Sequence, residues 1–250
     1  MDAETPKAME LSLPQAFLLL ATNDTTGKPE IPVFALRTTL AGAVLAELDL
    51  LGAIELQGKH VRVAGTAPDT HLQHELELLR GKSRPHTPRW WVSALESRAE
   101  VQRVYEGMAS LGIVEHVGER HLGLFRAVRY PEKDHAPEAA LLKKIEAALS
   151  GAPSNLEPPD TGAADATATD AGTAGAQVQD SASAKTGTKA PEPRTIALIA
   201  LLQAAGLLGK LFPEADRVRA SELAKDYWPS RAVEDELRMI RLAEEEAANL

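Results

Sequence analysis

Residues 39–56 read TLAGAVLAELDLLGAIEL, and this stretch decides the fold. Leu40, Val44, Leu48 and Leu51 recur at helical spacing, while Ala41, Gly42, Ala43 and Ala46 leave little side-chain bulk between them. Small residues on an apolar helix let a neighbouring helix approach closely, so the spacing predicts a central core helix. Gly52 closes it, because the position just past a helix favours the left-handed backbone that glycine adopts without strain. Ile54-Glu55-Leu56 then opens a short alternating strand. The same phrase returns later: Val101, Val104, Met108 and Leu111, then Gly112, then Ile113 and Val114.

Working outward, Ser12 to Gln15 carries a capping-box pattern with Pro14 in the first turn, so a first helix runs from there to about Thr22. Residues 23–29, NDTTGKP, read as a turn, and the core helix follows over about 34–51. Ile54, Leu56, Val61 and Val63 alternate around Gln57-Gly58-Lys59 as a small hairpin. A helix over about 69–80 buries Leu72, Leu76 and Leu79 and ends at Gly81. Thr87-Pro88 starts a longer helical region over about 88–111. A second hairpin pairs Ile113–Val117 with His121–Phe125, with Gly118, Glu119 and Arg120 at its tip. Asp134 caps a helix that ends at Ser150. Residues 194–211 form a strongly apolar helix, and two amphipathic segments, about 215–227 and 231–246, finish the chain, with Ser230 as N-cap of the second. The expected fold is mainly α: a central helical bundle with surrounding amphipathic helices and short β-hairpins.

Residues 151–193 are nearly all Ala, Gly, Pro, Ser, Thr and Asp, with Leu156 and Val178 the only large aliphatics. Such a segment cannot bury enough apolar surface to offset its ordering entropy, so it is expected to be a disordered linker. It interrupts one domain whose core spans 11–150 and 194–246. The net charge is −9, and the linker contributes six acids against two lysines. An acidic balance argues against a general nucleic-acid binder while leaving room for a local basic face. With no cysteine there is neither a disulfide nor thiolate chemistry. The polar, acidic start MDAETPKAMELS is not a secretory signal. The most apolar run, Thr195 to Gly209, falls short of the roughly 20 residues a spanning helix needs. The expectation is a cytoplasmic protein, soluble or peripheral to a membrane.

No catalytic motif emerges. Gly81-Lys82-Ser83 resembles the end of a phosphate loop, but Leu76 stands where its first glycine belongs and a helix precedes it. His71, His74 and Glu75 lack the spacing of a zinc protease and read as a solvated polar face, so neither a metal nor another cofactor is expected. No nucleophile elbow and no Ser/His/acid set is present, and the chain is read as a non-enzyme. The segment from Arg80 to Arg103 differs. Arg80, Lys82, Arg84, Arg89, Arg98 and Arg103 face only Glu96 and Glu100, and Trp90 and Trp91 lie among them. Arginines grip phosphates bidentately and an indole settles at a membrane interface, so this pattern suits a phospholipid surface. A solvated rim around a core tryptophan fits the same residues. A helix followed by a two-stranded wing also describes winged-helix DNA binders, although Glu96, Glu100 and Glu106 interrupt any basic recognition face.

The residues LSLPQAFLLLATNDTTGKP and LAGAVLAELDLLGAIEL resemble the start of the Golgi phosphoprotein 3-like family. In order, Arg98 through Gly112 with its hairpin, Leu122 to Phe125 (LGLF) and Arg194 to Leu202 (RTIALIALL) extend the resemblance over 11–150 and 194–246. It implies a mainly helical fold, a protruding hairpin used in self-association (here Val117, Gly118, Glu119, Arg120 and His121) and peripheral binding to membranes through phosphatidylinositol 4-phosphate. Eukaryotic members are similar to adaptors that retain glycosyltransferases in the Golgi. The Ala-rich, cysteine-free composition fits a prokaryotic member better. The family's lipid pocket uses one tryptophan and three arginines, and the matching positions are Pro32, Ala41, Arg98 and Val101. Arg98 alone carries over, and Arg37, Arg89 and Arg103 are candidates to complete an anionic site beside it. The implied partners are an anionic phospholipid surface and a second copy of the chain. A protein-interaction module without a lipid role is the competing reading.

Overall fold

The computed structural model describes residues 10–65, 70–121, 124–151 and 191–248. Helix α1 (Leu13–Leu20) starts from a capping box in which the Ser12 side chain accepts from Gln15 N and the Gln15 side chain accepts from Ser12 N. Helix α2 (Val33–Leu50) is the centre of the molecule, buried around most of its circumference, as an all-round apolar helix must be. It contacts α1, α4 (Pro88–Leu95), α7 (Pro193–Ala204) and α10 (Trp228–Ala248). The small-residue stripe has the predicted effect. A Cβ added to Gly42 would stand 2.1 Å from Val233 Cγ2 of α10, so the two helices meet where α2 has no side chain.

Three helices end in the same way. Gly52, Gly112 and Gly206 all adopt positive φ, at 67°, 76° and 73°. In each case the next residue reaches back five positions: Ala53 N donates to Leu48 O, Ile113 N to Met108 O and Leu207 N to Leu202 O. The glycine itself bonds one turn inside that pair, so the last carbonyls of each helix are satisfied. Helices α2 and α5 (Arg98–Ser110) were expected to end at glycine. The third such end splits the expected 194–211 helix into α7 and the short α8 (Leu208–Leu211).

The 88–111 region is also two helices. Glu96 turns extended and accepts a hydrogen bond from the Thr38 hydroxyl at 2.9 Å, and Ser97 caps α5 by accepting from Glu100 N. The first hairpin, β1 (Ile54–Gln57) with β2 (His60–Val63), forms as expected, with Ile54 opposite Val63, Leu56 opposite Val61 and Gln57 paired with His60. The second does not. Strand β3 (Val117–His121) pairs with β4 (Leu124–Arg129), so Gly118 to Arg120 are strand positions and His121 pairs with Leu124. The β3–β4 ladder shifts register between Gly118 and Arg120, and Val114 bridges Glu132 instead of entering the strand. Helix α3 (Gln73–Arg80) begins after His71. Helix α6 (Ala136–Leu149) starts beside Asp134, whose carboxylate accepts from Ala136 N as expected. Ser230 is not an N-cap: α10 begins at Trp228, and the Ser230 hydroxyl donates to Tyr227 O. Between α8 and α10 lies α9 (Arg217–Ala224), capped by Asp216. Residues 152–190, most of the expected linker, lie outside the described residues.

One buried ion pair ties the two ends of the core together. Glu47 on α2 accepts from Leu13 N at 2.7 Å, filling an orphan donor of α1, and from both terminal nitrogens of Arg194 at 2.5 and 2.9 Å. A fork-to-fork arginine–carboxylate pair fixes orientation as well as distance, so α7 is keyed to α1 and α2 across 147 residues of sequence.

Candidate functional site

The four candidate arginines separate into two kinds. Arg103 reaches across from α5 to Glu75 of α3 and to Glu100 one turn back, the latter at 2.9 Å. Both carboxylates are buried, so Arg103 is the counter-charge of an interior pair, even though half of its side chain is exposed. Burial and then the Glu75 charge push the Glu100 carboxyl up to about 7, against the pull of Arg103. Glu75 therefore does not belong to a solvated polar face; only His71 and His74 are exposed there. Arg89, in the first turn of α4, meets Glu236 of α10 at 3.5 Å.

Arg98 and Arg37 have no carboxylate partner among the described residues. Arg98 is exposed at the start of α5, and Arg37 is half-buried in α2. In sequence Arg37 adjoins Thr38 and Arg98 lies two residues past Glu96, and the Thr38–Glu96 hydrogen bond joins α2 to the α4–α5 corner. Carboxylates thus hold Arg89 and Arg103, and among the described residues none holds Arg37 or Arg98.

The tryptophans divide as well. Trp91 is buried in the core, while Trp90 is 37% exposed. His86 stacks on Trp90 with ring centroids 3.7 Å apart, and Lys82 Nζ lies 5.4 Å from the Trp90 ring centre. The 82–87 segment that carries these groups is fixed to the first hairpin, where Val61 N donates to His86 O at 2.9 Å. Arg80, Lys82 and Arg84 are exposed and make no ion pair among the described residues. The sequence points to Arg98, Arg103, Arg89 and Arg37 as the site and places Trp90 only within the basic segment. Lys82, His86 and Trp90, rather than Arg103, are the groups it presents outward.

The second hairpin has no substantial contact with any helix among the described residues, since β3 and β4 pair chiefly with each other. At its base, Tyr105 and Tyr130 stack in parallel at 4.3 Å, and the Tyr105 and Thr22 hydroxyls share a 2.6 Å hydrogen bond. The crevice beside them, lined by Leu19, Asp24 and Glu132, is too narrow to admit a water molecule. Among the described residues no helix is long and apolar enough to cross a membrane.

These features define a class: a mainly helical scaffold with a basic, tryptophan-edged surface and a hairpin standing off its body. The chain belongs to the Golgi phosphoprotein 3 (GPP34) family, whose model matches residues 13–240, from the first residue of α1 into α10. Comparison with curated proteins gives no match.

Proposed function

We propose that this chain is a non-enzymatic peripheral membrane protein that binds anionic phospholipid through the surface formed by Lys82, Trp90 and Arg98 and self-associates through β3–β4. The observation that carries the reading is family membership over residues 13–240, together with exposed cations that no carboxylate neutralises. Guanidinium and ammonium groups attract headgroup phosphates, and an exposed indole braced by His86 can settle at the interface. Arg89 and Arg103 contribute less, because Glu236 and the Glu75–Glu100 pair already hold them. Three of the four positions that the family resemblance assigns to a headgroup pocket are Pro32, Ala41 and Val101. Binding is accordingly charge-driven and not selective for one headgroup. At on the order of 1 kcal/mol per basic residue near an anionic surface, the attraction is weak and falls steeply with salt.

Co-sedimentation with phosphatidylcholine vesicles, with and without phosphatidylserine, tests the lipid part. Binding is expected only to the anionic vesicles at low salt. Binding equal on both vesicle types, or on neither, contradicts it. For self-association, replacing residues 120–125 by Asn-Gly shortens the hairpin at paired positions. Sedimentation velocity should then show a smaller species than the full chain gives; an unchanged size removes the hairpin from the interface.

A further inference from the structure

Two stretches more than a hundred residues apart are laced together at the base of the second hairpin. Glu132 N donates to Asp24 O at 2.8 Å and Tyr130 N donates to Gly27 O at 3.2 Å. Gly27 has φ of 63°, and a Cβ there would stand 2.4 Å from Pro131 N, so only glycine allows this approach. From the other side, Lys133 N and Asp134 N both donate to Ile113 O. This backbone lacing brings Asp24, Glu132 and His135 together, each offering one ligand atom, with all three atoms within 4.8 Å of one another.

The Glu132 side chain is only 2% exposed, and its Oε1 has no hydrogen-bond partner. Its other oxygen contacts His135 Nδ1 directly. Glu138, in the first turn of α6, faces Asp24 and Glu132 with a third carboxyl. A buried carboxylate oxygen without a donor, beside further carboxyls, is a costly arrangement that a cation relieves.

We propose that Asp24, Glu132 and His135 form a binding site for a divalent transition cation of the zinc class, with Glu138 or solvent completing the shell. The imidazole nitrogen selects a borderline metal over Ca²⁺ or Mg²⁺, which prefer all-oxygen shells. A zinc ion holds its ligands at about 2.1 Å and hence within roughly 4 Å of one another. The His135 ring, 72% exposed, can turn to meet that requirement. The bound ion would clasp the 23–29 turn, the exit of β4 and the start of α6.

Isothermal titration of the full chain with ZnCl₂ tests the site. One ion per chain is expected, with affinity at least roughly tenfold weaker in Asp24→Asn and in His135→Ala, whose side chains are exposed and whose loss leaves the core intact. Glu132→Gln, which keeps the buried shape, should weaken binding similarly. MgCl₂ should give no saturable heat. Absence of zinc binding overturns the proposal. So does binding equal in the parent and the variants, which marks an adventitious ion only, held for instance by exposed His71 and His74.

Discussion

Glu100 shows how a single side chain couples fold and solvent. Its carboxyl titrates at 4.5 when unperturbed and at about 7 in the folded chain, because burial and the Glu75 charge oppose ionisation more than Arg103 favours it. Between those values the folded chain holds a proton that the unfolded chain has released. Stability therefore falls as pH rises through this window, and the contribution is complete below the lower value and lost above the upper one. Glu100→Gln should flatten this slope and gain about 2 kcal/mol over the parent at pH 8 in urea denaturation. An identical pH dependence for the two proteins contradicts the assignment. The same cluster explains why Arg103 is a poor lipid ligand: releasing it to a headgroup leaves two buried carboxylates without their cation.

At the scale of elements, the α2–α10 contact rests on what α2 lacks. Val233 is fully buried against Gly42, so Gly42→Ala places a methyl group inside a neighbouring side chain. The expected cost is about 1–3 kcal/mol, despite alanine's better helix propensity. Val233→Ala in the same chain should recover most of it. A double-mutant cycle by chemical denaturation measures the coupling, and strictly additive effects would refute the close approach. Features of this kind were legible because they are local. The Ser12–Gln15 cap, the glycine ends of α2 and α5 and the first hairpin each lie within a few residues of sequence. The break between α4 and α5 had a readable signal that was missed, since Ser97 and Glu100 stand at capping-box spacing. Its other cause, the Thr38–Glu96 hydrogen bond, joins residues 58 apart and has no local trace.

For the whole molecule, the ordered set of motifs identified the family and the helical architecture, and the match over residues 13–240 bears this out. The site was less legible because charge in a sequence is not free charge in a structure. Arg103 and Arg89 read as surface cations, yet Glu75 and Glu236, which hold them from other helices, stand 28 and 147 positions away. Exposure likewise separates Trp90 from Trp91, which adjacent letters cannot do. The Asp24–Glu132–His135 group was hidden for the same reason, since no spacing rule spans the chain that separates them. The proposed function therefore rests on a few exposed groups: Trp90, and Lys82 and Arg98, which no carboxylate neutralises among the described residues. Its most direct test is vesicle co-sedimentation of the parent beside Arg98→Ala and Trp90→Ala, on phosphatidylserine-containing vesicles across a salt series. The account predicts salt-sensitive binding by the parent and loss of roughly fivefold or more in each variant, in line with about 1 kcal/mol per group. Parent binding that neither substitution weakens, or none at low salt, would contradict it.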